Sequence, residues 1–263
     1  MLRISLVDFL NARPLTWGLL HEPPSGVSVS RDVPSVCAAK LASGEADVGL
    51  IPSIEYQRIA GLKAVAGLGI AAASEVRSVL LVSSVSREKI RSVALDPASR
   101  TSAALVKILL NRVYGLKPEY REAKGEGRRA KDGAGEADAE LIIGDPALKT
   151  RQNGQVVLDL AAEWRAFSGQ SFVFAFWAVR DRAATPEVAQ LLRRSYEAGR
   201  THFSDLVREE AAQSGLSEAV VEDYLRHALH FELDKGDREG LELFYRMAAE
   251  DGLIPEARPL EFL

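Results

Sequence analysis

The run Phe172-Val-Phe-Ala-Phe-Trp-Ala-Val179 constrains the fold more than any other stretch of this chain. Its length suits a strand, and its aromatic and β-branched content argues against a helix. A strand with no polar face must be covered on both sides. Ser78-Val-Leu-Leu-Val82 reads the same way. Two such strands in one chain point to sheets sandwiched between helices, the α/β class.

The order of elements agrees. Ile4 and Leu6 mark a first strand, and Pro14 opens a helix over 15–20, at a position where its missing N–H costs nothing. Val27 to Val33 alternates as a second strand. Pro34 opens a second helix, and Gly44 stands where a left-handed residue closes it. Ala46 to Pro52 is a third, buried strand, and Ser53 is expected to cap a helix over 53–60. Strand–helix repetition of this kind predicts parallel pairing at the start of the chain.

Further strands are expected at 65–70, 76–83, 92–96, 117–122, 139–144, 156–158 and 230–233. Helices are expected at 103–114 and 160–167, from Pro186, from Ser217 and from Asp237. The segment 123–138 is rich in glycine and charge but lacks the Lys-Ser/Thr pair of a phosphate loop, and reads as a connector. The layout suggests two lobes. Residues 1–80 with 180–263 form one and 84–170 the other, and strands 76–83 and 172–179 pair as crossings. A double crossing makes a hinge with a ligand cleft between the lobes.

Composition narrows the partners. Apolar residues make up 47% of the 263, enough for a large core, and the 27% that are charged nearly cancel to −4. No basic excess points to nucleic acid. No apolar run reaches the ~18 residues of a membrane span, and the start lacks the pattern of a secretory signal. A cytoplasmic location is expected. The lone Cys37 reads as a small buried hydrophobe. His227 and His230 lack a third ligand at helical spacing, so no metal is expected.

Two stretches carry the candidate chemistry. Asn11 lies between a strand end and a helix start, where an open α/β sheet presents groups to a ligand. Its amide both donates and accepts without charge, although an Asn that merely closes the turn is the plain alternative. In Asp96-Pro-Ala-Ser99-Arg100-Thr101-Ser102, three hydroxyls and a guanidinium stand at a helix start, a combination that suits a carboxylate or phosphate. Capping by Ser99 or Thr101 alone is the alternative there. Ser53 and Ser78 are candidates for the same cleft. Arg77 pairs either with a substrate carboxylate or with a nearby acid, and Asp145 is either a helix cap or a site residue. No nucleophile elbow and no dinucleotide fingerprint is present.

Six blocks, in order, resemble the signature of the chorismate dehydratase family of the futalosine route to menaquinone. They are Val7-Asp-Phe-Leu-Asn-Ala-Arg-Pro-Leu15, Ala46-Asp-Val-Gly-Leu-Ile-Pro-Ser-Ile-Glu-Tyr56, Val76-Arg-Ser-Val-Leu-Leu-Val-Ser83, Val93-Ala-Leu-Asp-Pro-Ala-Ser-Arg-Thr-Ser102, Leu141-Ile-Ile-Gly-Asp-Pro-Ala-Leu148 and Phe172-Val-Phe-Ala-Phe-Trp177. The resemblance implies a two-lobed fold similar to type II periplasmic binding proteins, with mixed sheets, flanking helices and two hinge strands. It also implies removal of water from chorismate to give 3-[(1-carboxyvinyl)oxy]benzoate, with no cofactor. Asn11 is then the expected catalytic residue, and Ser53, Ser78, Ser99, Arg100, Thr101, Ser102 and Asp145 the expected substrate contacts.

Two other functions fit the same fold. One is a non-catalytic binder of an aromatic or dicarboxylate ligand. The other is the sister dihydroxynaphthoate synthase, whose Ser-Pro-Cys-Pro-Asn-Asp-like opening and second-lobe histidine are missing here: no histidine occurs between His21 and His202. The chain also departs from its own family. Phe9 stands where tyrosine is common, and Phe167 and Gln170-Ser171 replace a common Trp and Leu-Pro, which is expected to alter the second crossing.

Overall fold

In a computed structural model, residues 1–123, 137–150 and 154–263 are described. The first half alternates β1 (Leu2–Val7), α1 (Arg13–His21), β2 (Val27–Asp32), α2 (Pro34–Ser43), β3 (Val48–Pro52), α3 (Glu55–Arg58) and β4 (Leu62–Ala72). It continues through β5 (Val79–Ser83), β6 (Ser92–Leu95), α4 (Arg100–Arg112) and β7 (Glu119–Glu122). After the glycine-rich segment, whose residues 124–136 lie outside the described ones, come β8 (Ala139–Ile143), α5 (Asp145–Leu148), β9 (Val156–Asp159), α6 (Leu160–Ser168) and β10 (Phe172–Arg180). The end of the chain is α7 (Pro186–Thr201), α8 (Phe203–Ser214), α9 (Glu218–Asp223), a π-helical turn over Tyr224–Ala228, β11 (His230–Glu232) and α10 (Lys235–Glu250).

Two sheets result, in the orders β11-β4-β10-β3-β1-β2 and β7-β6-β8-β5-β9. β1 pairs in parallel with β2 and β3, as strand–helix repetition requires. β10 runs antiparallel to both β3 and β4, so the first sheet is mixed. Residues 172–179 of β10 are all buried, which is what a fully apolar strand predicts.

The expected pairing of 76–83 with 172–179 is corrected. β5 lies between β8 and β9 in the second sheet, and β10 between β3 and β4 in the first. Apolarity marks both as central strands; it does not say of which sheet. The chain leaves the first sheet through the segment before β5 and returns through the one between α6 and β10. At the return, Trp164 packs edge-on against Phe172 and Phe244 and donates from its indole to the Ser171 carbonyl at 3.1 Å. The Ser171 hydroxyl, one of the departures from the family pattern, donates to Asp237, which His230 also meets at 2.8 Å. His230 thus serves the start of α10.

Close approach explains one glycine of β4. A Cβ on Gly69 would stand 2.7 Å from the Ala175 carbonyl and 2.6 Å from Leu233, so the bulged pairing with β10 needs glycine there. Cys37 is fully buried, and burial pushes its thiol up to about 12, so it stays a neutral packing group. No helix among the described residues is long and apolar enough to cross a membrane.

Candidate active site

At the end of β1 the chain turns through a 3₁₀ turn, Leu10–Ala12, before α1 begins. Leu10 and Ala12 point into the core, leaving Asn11 partly buried between them. The turn is anchored by Arg13, a residue that sequence reasoning did not single out. Its guanidinium is buried and bonds Glu210 Oε1 of α8 at 2.7 Å and Asp8 on its other side. Asp8 also takes Arg31 at 2.7 Å. Burial works against the Asp8 charge, but the bonds from Arg31 and Arg13 outweigh it and hold the carboxyl below its usual range. A lone Arg between apolar residues in Asn-Ala-Arg-Pro was the available signal.

Asn11 lines a cavity between the two sheets. Ser78, Ser99, Thr101 and Ser102 line it too, with Phe9, Phe174, Ile70 and Val79 as apolar wall. Asn11 and the hydroxyl-rich start of α4 therefore share one cleft. Three expected contacts stand outside it. The Arg100 guanidinium is turned to Glu55, at 2.7 Å from Oε2, while Arg58 takes the other oxygen at 2.7 Å. Glu55 is buried, and a buried carboxylate demands such pairing. Ser53 sits one layer back, donating to the Val173 carbonyl at 2.8 Å, with its oxygen 3.4 Å from that of Thr101. Asp145 opens α5, next to the cavity residue Gly144.

Capping does not account for the hydroxyls of α4. Ser99 makes no side-chain capping bond, and Asp96 instead closes the preceding turn by accepting from the Ala98 N–H at 2.8 Å. Thr101 Oγ1 accepts from the Ile54 N–H at 3.2 Å, tying α4 to the segment after β3. Ser53, expected to cap a helix over 53–60, does not do so, and that helix is the single turn α3.

Ser78 is held with particular care. Arg77, just before it, is the one non-glycine residue among the described residues with positive φ, at 61°. For such a residue this backbone costs on the order of 1 kcal/mol or more. Asp159 offsets the cost by accepting from the Val76 and Arg77 N–H groups at 3.1 and 2.6 Å, while also capping α6. The Arg77 guanidinium pairs with Asp223, which is the nearby-acid outcome. Ser78 itself accepts from the hydroxyl of Tyr224 at 2.7 Å, a contact invisible across 146 residues of sequence.

Among the described residues, the buried Asn11 Oδ1, Asp145 Oδ1, Arg13 Nη1, Trp177 Nε1 and Arg180 Nε have no hydrogen-bond partner, and of these Asn11 alone lines the cavity. Such atoms cost about 1–3 kcal/mol each. They are tolerated where a ligand supplies the missing bond. Burial raises the carboxyl pKa of Asp145, against the pull of the Leu10 N–H and of Lys149 and Arg13. Glu210 is raised as well, by burial first, with the ion pair to Arg13 opposing.

A family model described as menaquinone biosynthesis matches residues 2–250. The chain belongs to that family. A chorismate dehydratase of Thermus thermophilus is 30% identical to it over 92% of this chain and 93% of its own. Another, from Campylobacter jejuni, is 31% identical over 69% of this chain and 70% of its own. In three dimensions this family member superposes on an Archaeoglobus fulgidus protein with a TM-score of 0.77 at 16% identity, covering 96% of this chain and 98% of that one. It also superposes on the periplasmic aliphatic sulphonate binding protein of Escherichia coli at 0.68 and 19%, covering 100% and 93%. The fold is thus that of the periplasmic-binding-protein class, two sheets flanked by helices.

Proposed function

We propose that this chain is a lyase that removes water from chorismate, giving 3-[(1-carboxyvinyl)oxy]benzoate, in menaquinone biosynthesis. The Thermus thermophilus and Campylobacter jejuni relatives carry the name chorismate dehydratase. The observation that carries the reading to this molecule is the shared cleft. The unsatisfied, uncharged amide oxygen of Asn11 shares one cavity with Ser78, Ser99, Thr101 and Ser102 and with the apolar Phe9 and Phe174.

Chorismate has two carboxylates, a hydroxyl at C4 and a hydrogen at C3. Loss of that hydrogen and that hydroxyl as water makes the ring aromatic, so the substrate supplies the driving force. The protein has to orient the leaving groups and exclude water. The start of α4, with Ser99, Thr101 and Ser102, suits a carboxylate, because N–H groups, dipole and hydroxyls all favour an anion. Asn11 is then the catalytic group that orients the departing hydroxyl or the enolpyruvyl carboxylate, and Ser78 is a donor in the same cavity. Arg100 does not line the cavity and is paired with Glu55, so this reading gives it no role. With no histidine among the cavity residues, a substrate carboxylate can take the C3 proton and pass it to the departing C4 hydroxyl, which leaves as water.

The crossings between the sheets act as a hinge in this reading, with the cleft closing on its guest. Chorismate is the small-molecule partner, and the enzyme works in the cytoplasm. Incubating purified protein with chorismate and following the mass of the product tests the reading, since a solute binder of the same fold returns the substrate unchanged.

A further inference from the structure

We propose that Tyr224 is a positioning residue for this reaction: it fixes the Ser78 hydroxyl as a one-way proton donor into the cleft. The inference rests on the functional reading above and adds a residue that does not line the cavity.

Tyr224 is buried, and its hydroxyl carries one proton, which it gives to Ser78 Oγ at 2.7 Å. Burial pushes the phenol well above its ordinary range, with Ser78 opposing only in part, so the proton stays on the phenol throughout the working range of pH. With its oxygen already accepting, Ser78 has its own proton left to place. Ser78 lines the cleft, so that proton is directed at whatever oxygen the cleft holds. A hydroxyl that accepts from a phenol is also polarised into a better donor.

The surroundings are built to keep this geometry. Tyr224 opens the π-helical turn 224–228, a rare form that recurs at functional sites. Successive residues on the two segments pair in step: Arg77 with Asp223, then Ser78 with Tyr224. The left-handed backbone of Arg77, held by Asp159, sets the direction of the Ser78 side chain. The Ser78 carbonyl is already used by the Gly144 N–H at 2.8 Å, so the backbone is fixed from the other side. A serine needed only for packing would require none of these constraints.

The test is a double-mutant cycle on chorismate turnover with Tyr224→Phe and Ser78→Ala, each singly and together. Losing the orienting bond should lower kcat roughly 5- to 10-fold with KM within about twofold. In the Ser78→Ala background, Tyr224→Phe should cost nothing more. An equal loss in both backgrounds, or a Tyr224→Phe enzyme with unchanged kcat, overturns the inference. Wild-type protein that leaves chorismate intact would instead sink the functional reading, so the two failures are distinguishable. If Tyr224→Phe does not fold, difluorotyrosine at 224 keeps the ring and lowers the phenol pKa. A phenol of lower pKa is the stronger donor to Ser78, so kcat should change with this replacement and stay unchanged when it is made in the Ser78→Ala background. An equal change in both backgrounds, or no change in either, would refute the proposal equally.

Discussion

Thr101→Val removes one hydroxyl from the contact between the start of α4 and the segment after β3. Thr101 Oγ1 is the acceptor for the Ile54 N–H at 3.2 Å, and both residues are buried. Valine fills nearly the same space but accepts nothing, so the Ile54 N–H is left without a partner. An orphaned buried donor costs about 1–3 kcal/mol. Ser53 Oγ, which gives its proton to the Val173 carbonyl at 2.8 Å, also loses the Thr101 hydroxyl 3.4 Å away. For a chain of this size each kcal/mol moves Tm by about 2–4 °C, so a mid-range loss of about 2 kcal/mol lowers Tm by roughly 4–8 °C. Thr101→Ser keeps the acceptor and should lose markedly less. Differential scanning calorimetry of the three proteins reads the difference. A valine variant melting with wild type, or a serine variant falling as far as the valine one, would refute the assignment of that bond.

Asn11→Ala should fold normally, since its side-chain oxygen has no internal partner among the described residues, and should lower kcat by about 10²–10³ if the amide orients a departing group. Turnover near that of wild type would remove Asn11 from the mechanism. Asp145→Asn tests the buried carboxyl. Because burial raises its folded pKa, ionisation is disfavoured in the fold. Wild type therefore loses stability as pH rises through the unfolded value of about 4 towards the folded one. The variant should melt higher than wild type at pH 7 and level with it in acid below that range. A gap that widens in acid would contradict the sign.

The sequence carried the fold class because its strongest signals were about cover. The eight apolar residues at 172–179 had to be a central strand, and Pro34 and Gly44 bounded a helix found at Pro34–Ser43 with Gly44 at φ 78°. It did not carry the choice of sheet: β5 and β10 look alike in sequence and join different sheets. Helix starts also slipped. α4 begins at Arg100 rather than 103, which puts Thr101 and Ser102 in its first turn.

That Asn11 and the hydroxyls of 78, 99, 101 and 102 line one cavity was foreseeable because four polar groups in sequence at 99–102 exceed what capping one helix start needs. Arg100 stands outside that cavity: its partner Glu55 lies 45 residues away, and charge alone does not name its counter-ion. Arg13 with Glu210, and Ser78 with Tyr224, were invisible for the same reason, since long-range pairs between single polar residues leave no local pattern.

The most direct test is purified wild-type protein incubated with chorismate, with substrate and product masses followed over time. The account predicts a product lighter by one water, with an aromatic benzoate spectrum, and a rate that collapses in Asn11→Ala. Chorismate bound but recovered unchanged would contradict it.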